Sequence, residues 1–206
     1  FMGCGDVSIG GIKAPLFRSS FSGEHAYELA IPARYGESLF KGLLDEAEAM
    51  GGGPYGMEAL NVMRIEKGFI THSEIHGRVT AGDIGMDMMM SKKKDFVGKT
   101  AATRPGLIED RDELVGLKPV GAVKALHAGA FFFAEDAEPI RQNQQGYTTS
   151  VGFSPEMGML GLGFLKNGRE RHGEVLKLVD HLRHVTTRVE ICHPVFLDPE
   201  GSKARD

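Results

Sequence analysis

The chain has 206 residues, 41% of them apolar and 25% charged, enough to bury a core as one large domain or two small ones. Its 24 Lys and Arg against 28 Asp and Glu give a net charge of −4, which argues against nucleic-acid binding, where a basic excess is the rule. Two cysteines cannot build a disulfide framework, the longest apolar run (128–134) is too short for a bilayer, and no signal peptide is visible, so a reducing, cytoplasmic setting without a membrane is expected.

The amino end, Phe1-Met2-Gly3-Cys4-Gly5-Asp6, lacks a natural start and reads as the middle of a longer chain. Two short strands are predicted at 15–21 and 27–31, around the polar turn Ser22-Gly23-Glu24-His25. A helix follows over 35–50, with Leu39, Leu43, Leu44 and Ala47 on one stripe, and Gly51-Gly52-Gly53-Pro54 stops it. A second helix is predicted over 55–67, with Gly68 as its C-cap. Beyond Asp110, apolar stretches recur at 114–120, 130–134, 147–153, 160–165, 174–179 and 185–192, separated by turn residues such as Asn167-Gly168 and His172-Gly173. Short strands at this spacing predict a barrel or sandwich. The fold class is therefore α+β, a half that mixes strands and helices followed by a barrel or sandwich. The boundary falls between 98 and 111, giving domains 1–105 and 106–206.

No nucleotide-binding loop is present, since Gly161-Leu162-Gly163 lacks a third glycine at the required spacing and precedes strand-like sequence. The eight histidines are scattered and read as ordinary surface or core residues. Lys92-Lys93-Lys94 reads as a solvated face, with anion capture as the sharper alternative. Met86, Met88, Met89 and Met90 are expected in a core or interface. Phe131-Phe132-Phe133 is too consecutive for one strand face, which leaves one ring exposed or at an interface. Glu24 sits on a tight turn, where a carboxylate can be aimed, although alone it reads as an ordinary turn residue. Arg64 ends a helix, where a cation also serves the helix dipole.

Four segments in register resemble the folate-binding domain shared by the glycine-cleavage T-protein, dimethylglycine oxidases and the α subunit of heterotetrameric sarcosine oxidase. Ser22-Gly23-Glu24-His25-Ala26-Tyr27-Glu28-Leu29 is similar to the family's T-G-E-x-x-Y-E-[IL] turn. The helix end Leu60-Asn61-Val62-Met63-Arg64-Ile65-Glu66-Lys67-Gly68 resembles R-x-E-x-G. Asp95-Phe96-Val97-Gly98-Lys99 resembles D-F-I-G-[KR]. Gly146-Tyr147-Thr148-Thr149-Ser150, with Phe153-Ser154-Pro155 and Gly161-Leu162-Gly163, is similar to the signature of the carboxy-terminal barrel. Ala59-Leu60-Asn61 departs from the T-protein's A-R-D, and Glu66-Lys67-Gly68-Phe69-Ile70 with Asp83-Ile84-Gly85-Met86 resembles the sarcosine oxidase α branch.

The resemblance implies a split βαβ (ferredoxin-like) half followed by an antiparallel β-barrel, and a tetrahydrofolate site. Glu24 takes the family's pterin-binding position, where a carboxylate accepts two parallel N–H bonds. Phe17 falls where the family places a ring against the cofactor. Arg64 is a further polar contact, and Tyr27 and His72 are positional candidates. The implied activity is capture, as methylenetetrahydrofolate, of the one-carbon unit from oxidative demethylation of sarcosine. FAD, FMN and NAD are expected elsewhere in the complete enzyme, with β, γ and δ subunits and the upstream part of the same chain as partners. The relatives' assisting acid lies upstream of Phe1, so the chain alone is expected to be inactive, with no catalytic residue and no metal ligand of its own. The alternatives are a stand-alone aminomethyltransferase and a non-catalytic interaction domain.

Overall fold

The structure, a computed structural model, describes residues 1–123 and 125–205. Two compact units emerge: Phe1–Arg64 with the described residues from Asp198 onward, and Ile65–Leu197.

The first unit opens with a hairpin. Strand β1 (Cys4–Ile9) pairs antiparallel with β2 (Ile12–Phe17), and the two-residue β3 (Glu28–Leu29) adds to the far side of β2. The β1–β2 turn is Gly10-Gly11, both at positive φ (56° and 81°), the conformation that a tight two-residue hairpin demands. Helix α1 (Gly36–Ala49) begins and ends within one residue of its predicted span. Leu39, Leu44 and Ala47 are half-buried while Leu43 stays exposed, and Leu39 and Leu43 border an apolar groove with Ile9, Ile12 and Ile31. Helix α2 (Met57–Glu66) follows, and the Gly68 N–H closes its end on the Ile65 carbonyl at 2.9 Å.

The second unit is built on a closed antiparallel barrel in the order β4-β7-β6-β5-β8-β9. Its strands are β4 (Asp112–Pro119), β5 (Phe131–Phe133), β6 (Gly146–Ser154), β7 (Gly158–Lys166), β8 (Val175–Asp180) and β9 (Val185–Cys192). The short helix α3 (Lys99–Ala102) precedes it. Helix α4 (Ser202–Arg205) lies in the carboxy-terminal segment of the first unit. These six strands match the six apolar stretches of the sequence, each bounded by turn residues.

Inside the barrel, Val115, Leu117, Phe132, Leu165, Leu176, Leu178, Val189 and Ile191 form one buried cluster. Outside it, Leu114, Leu160, Leu162 and Phe164 pack with Ile65, Ile70, Val79 and Ile84. Gly163 faces inward, where an added Cβ would come within 2.7 Å of the Tyr147 carbonyl and 3.1 Å of the Phe132 ring. The glycine makes room first for that carbonyl and then for the phenylalanine ring.

The three consecutive phenylalanines divide by the pleat. Phe132 fills the barrel, while Phe131 and Phe133 flank the His181 ring at centroid distances of 6.1 and 6.0 Å. Of the methionines expected in a core or interface, Met88 is 99% exposed and Met89 79%, so these two pack no core of this chain.

Candidate functional site

In the first unit, residues 18–27 connect β2 to β3 and carry the expected pterin acceptor. Gly23 N–H bonds Ser20 Oγ at 3.0 Å, and Glu24 N–H reaches Ser22 Oγ at 3.4 Å, which fixes the turn. Glu24 is half-exposed, and Lys203 Nζ of α4 donates to its Oε1 at 3.0 Å.

Phe17 ends β2 directly opposite Glu28 and is 40% exposed. Ser19 Oγ donates to Glu28 Oε1 at 3.0 Å, consistent with Phe17, Ser19 and Glu28 sharing one face. Tyr27 instead takes the Arg18 guanidinium over its ring at 5.3 Å, with His25 Nε2 3.1 Å from its hydroxyl. Glu24, Phe17 and Tyr27 thus lie on or beside one strand connection, and the two rings have different neighbours. Arg64 is buried on α2, its Nε donating to Asn61 Oδ1 at 2.9 Å. His72 is exposed in the second unit, on the segment that follows α2.

The second unit holds polar groups that sequence reasoning passed over. Glu74 is fully buried and accepts from Thr71 N–H at 2.8 Å, Thr71 Oγ1 at 3.1 Å and Ser150 Oγ at 2.6 Å. Ser150 reaches it because β6 carries an irregularity between Thr148 and Ser150. The extra residue reverses the alternation, so that Thr148 faces inward and Ser150 outward. Thr148 Oγ1 in turn accepts from Ala130 N–H at 3.0 Å and donates to His127 O at 2.8 Å. The Thr-Thr-Ser signature is therefore explained by strand anchoring.

Nearby, Arg111 grips Asp83 with two bonds, Nε to Oδ1 at 3.1 Å and Nη2 to Oδ2 at 2.6 Å. Burial pushes the Asp83 carboxyl up, but bonds from Arg111 and from the Thr80 N–H, with the Arg111 charge, outweigh it and leave the group below its ordinary range. His76 Nε2 lies 2.9 Å from the Tyr147 hydroxyl, and burial raises that phenol. Together with Arg78, Val79, Asp110, Asp112 and Phe164, these groups line a polar cavity of about 250 Å³. Burial also pushes the Cys192 thiol up to about 11, which makes it a poor nucleophile.

Comparison with known proteins identifies the lineage. Residues 1–94 match the GCVT N-terminal domain family. The chain is 42% identical over 208 residues to the sarcosine oxidase subunit alpha of Rhizobium meliloti (strain 1021), covering 98% of this chain and 21% of that protein. The corresponding subunit of Corynebacterium sp. (strain U-96) is 40% identical over 98% of this chain and 22% of its own length. An aminomethyltransferase of Mycobacterium bovis (strain ATCC BAA-935 / AF2122/97) is 31% identical over 79% of the chain and 43% of its own length. The glycine cleavage system aminomethyltransferase T from Bartonella henselae superposes with a TM-score of 0.75 at 23% identity, covering 90% of this chain and 50% of that structure, and shares the fold. The chain spans about a fifth of the length of the sarcosine oxidase α subunits it matches. On these similarities, carried by nearly the whole chain, it belongs to the family that sarcosine oxidase α subunits share with the aminomethyltransferases.

Proposed function

We propose that this chain is the tetrahydrofolate-binding region of a sarcosine oxidase α-type subunit and serves to capture the one-carbon unit of sarcosine. The observation that carries the reading is identity of 42% to such a subunit over 98% of the chain. Glu24, on its fixed turn, adds chemical support.

The residues present fit a pterin. Glu24 offers a half-exposed carboxylate suited to two adjacent N–H donors, and Phe17 and Tyr27 offer exposed rings on the same hairpin. Arg64, oriented by Asn61, supplies a positive group from α2, and His72 is a further polar candidate. Tetrahydrofolate, when bound, supplies the nitrogens that take up the one-carbon unit as methylenetetrahydrofolate. The chain's own contribution is to orient the ring and keep water from the transfer. Oxidation of the methyl group, with FAD, FMN and NAD, belongs to other parts of the enzyme, and the β, γ and δ subunits and the rest of the α chain are its partners.

Calorimetric titration with tetrahydrofolate in reductant, on the full-length protein and on Glu24→Ala, tests this reading. Saturable binding that weakens in the variant supports it, and equal affinity in both proteins refutes the role of Glu24.

A further inference from the structure

The segment from Met86 to Lys99 presents apolar side chains to solvent while its backbone is firmly held. Met86 N–H bonds Ala81 O at 2.8 Å, Met89 N–H bonds Met86 O at 3.0 Å, and Met90 N–H bonds Asp87 O at 3.1 Å. Arg169 ties the segment to the barrel, pairing with Asp87 at 3.3 Å and donating to the Gly82 carbonyl. Ser91 Oγ accepts from the N–H groups of Lys93 and Lys94 at 3.3 and 2.9 Å and fixes the lysine turn. Yet Met88 and Val97 are essentially fully exposed, Met89 largely so, and Phe96 partly. Apolar side chains exposed on a hydrogen-bonded backbone are the kind of patch that marks an interaction site.

Beside them lies a groove of about 440 Å³, walled by Met90, Phe96, Ala101, Ala102, Leu107 and Ile108. Its charged lining is already paired, Asp83 with Arg111 and Arg169 with both Asp87 and Glu113. The ammonium groups of Lys92, Lys93 and Lys94 are exposed and have no ion pair among the described residues. Between Met86 and Lys99 stand four lysines against two aspartates, a local positive sign on a chain of net charge −4.

Resting on the subunit reading above, we propose that this face docks an acidic segment of a partner subunit, one that inserts a leucine- or phenylalanine-type side chain into the groove and sets carboxylates against Lys92–Lys94. A second copy of this chain would oppose lysines to lysines. A bilayer would have to strip water from the paired Arg169, Asp87 and Glu113 and would leave a concave groove unfilled. A protein knob with an acidic rim meets both features.

The test uses the full-length chain co-expressed with the other subunits of its enzyme. Wild type is compared with Met88→Glu/Val97→Glu and with Lys92→Glu/Lys93→Glu/Lys94→Glu, all surface changes, by native mass spectrometry and hydrogen exchange. Expected is at least tenfold slower exchange at 96–98 in the assembly than in the isolated chain, and at least tenfold weaker assembly in each variant at unchanged melting temperature. The lysine variant should also lose the salt dependence of association. Normal assembly of both variants, with 96–98 exchanging as in the isolated chain, overturns this docking face and leaves the subunit reading standing. Failure of any subunit to join the wild-type chain overturns both. Self-association through this face, or its protection only by vesicles of anionic phospholipid, overturns the partner-subunit assignment.

Discussion

Lys203 Nζ donates to Glu24 Oε1 at 3.0 Å, so the carboxy-terminal helix places a cation on the carboxylate expected to receive the pterin. Both side chains are about half exposed, and such a pair is worth only about 0–1 kcal/mol. Lys203→Ala should therefore leave the melting temperature almost unchanged. If the ammonium competes with pterin N–H groups for Oε1, the variant should bind tetrahydrofolate up to about fivefold more tightly, the equivalent of about 1 kcal/mol. Calorimetry on the two proteins checks this, and weaker binding in the variant would instead assign Lys203 to the ligand.

Glu24→Ala removes the acceptor itself. Tetrahydrofolate affinity should fall by about 1–3 kcal/mol, the range for leaving paired donors without an acceptor. Stability should change little, because the turn is held by Ser20 and Ser22 rather than by the carboxylate. Paired titration and thermal melts separate the two effects.

Ser150→Ala removes one donor from a carboxylate with no access to water. Unfolding free energy in urea should drop by about 1–3 kcal/mol with the slope of the transition unchanged. Equal stability would mean that the bond contributes nothing to holding β6 against the Glu74 segment.

The Asp83–Arg111 pair sets a pH dependence with a definite sign. The folded-state pKa of Asp83 lies below the ordinary value of about 3.9, so its contribution is complete above that pH and is lost as pH falls through the lower folded value. Asp83→Asn should cost about 3 kcal/mol at pH 7, near the low end for breaking a buried pair, since Arg111 keeps partial access to water. The difference in melting temperature between wild type and variant should shrink as pH drops below about 4. A difference that stays constant down to pH 2 would contradict this assignment.

Gly163→Ala would press a methyl group against the Tyr147 carbonyl and the Phe132 ring. A loss of about 1–3 kcal/mol is expected from overpacking, with partial recovery in Gly163→Ala/Phe132→Leu. Failure of the double variant to recover would point to the carbonyl as the obstacle.

The barrel was legible because its apolar stretches recur at short spacing between turn residues such as Asn167-Gly168 and His172-Gly173. Which side each residue takes was not, since Leu160, Leu162 and Phe164 face out and Gly161, Gly163 and Leu165 face in although all six are apolar. Strand β1 was not legible: Cys4–Ile9 has no alternating apolar pattern and is exposed almost throughout, so only Gly10-Gly11 marked its hairpin. The strand predicted over 15–21 stops at Phe17, because Ser20 and Ser22 spend their hydroxyls on local bonds that bend the chain. Of the site, the Glu24 turn could be read from its motif, but Lys203 could not. Their separation in sequence hides a contact that only the folded carboxy-terminal segment creates. Glu74 escaped for the opposite reason: a lone carboxylate in a loop gives no sign that Thr71 and Ser150 will surround it.

The barrel ring closes where β4 meets β9, with Gly116 opposite Cys192. During synthesis, β4 leaves the ribosome long before its second neighbour exists and must wait with one edge unpaired. Closure over so long a loop is a slow event, on the millisecond-to-second scale common to non-local β topologies. In that interval the open edge of β4 is a surface the finished protein no longer has, open to a chaperone or to aggregation.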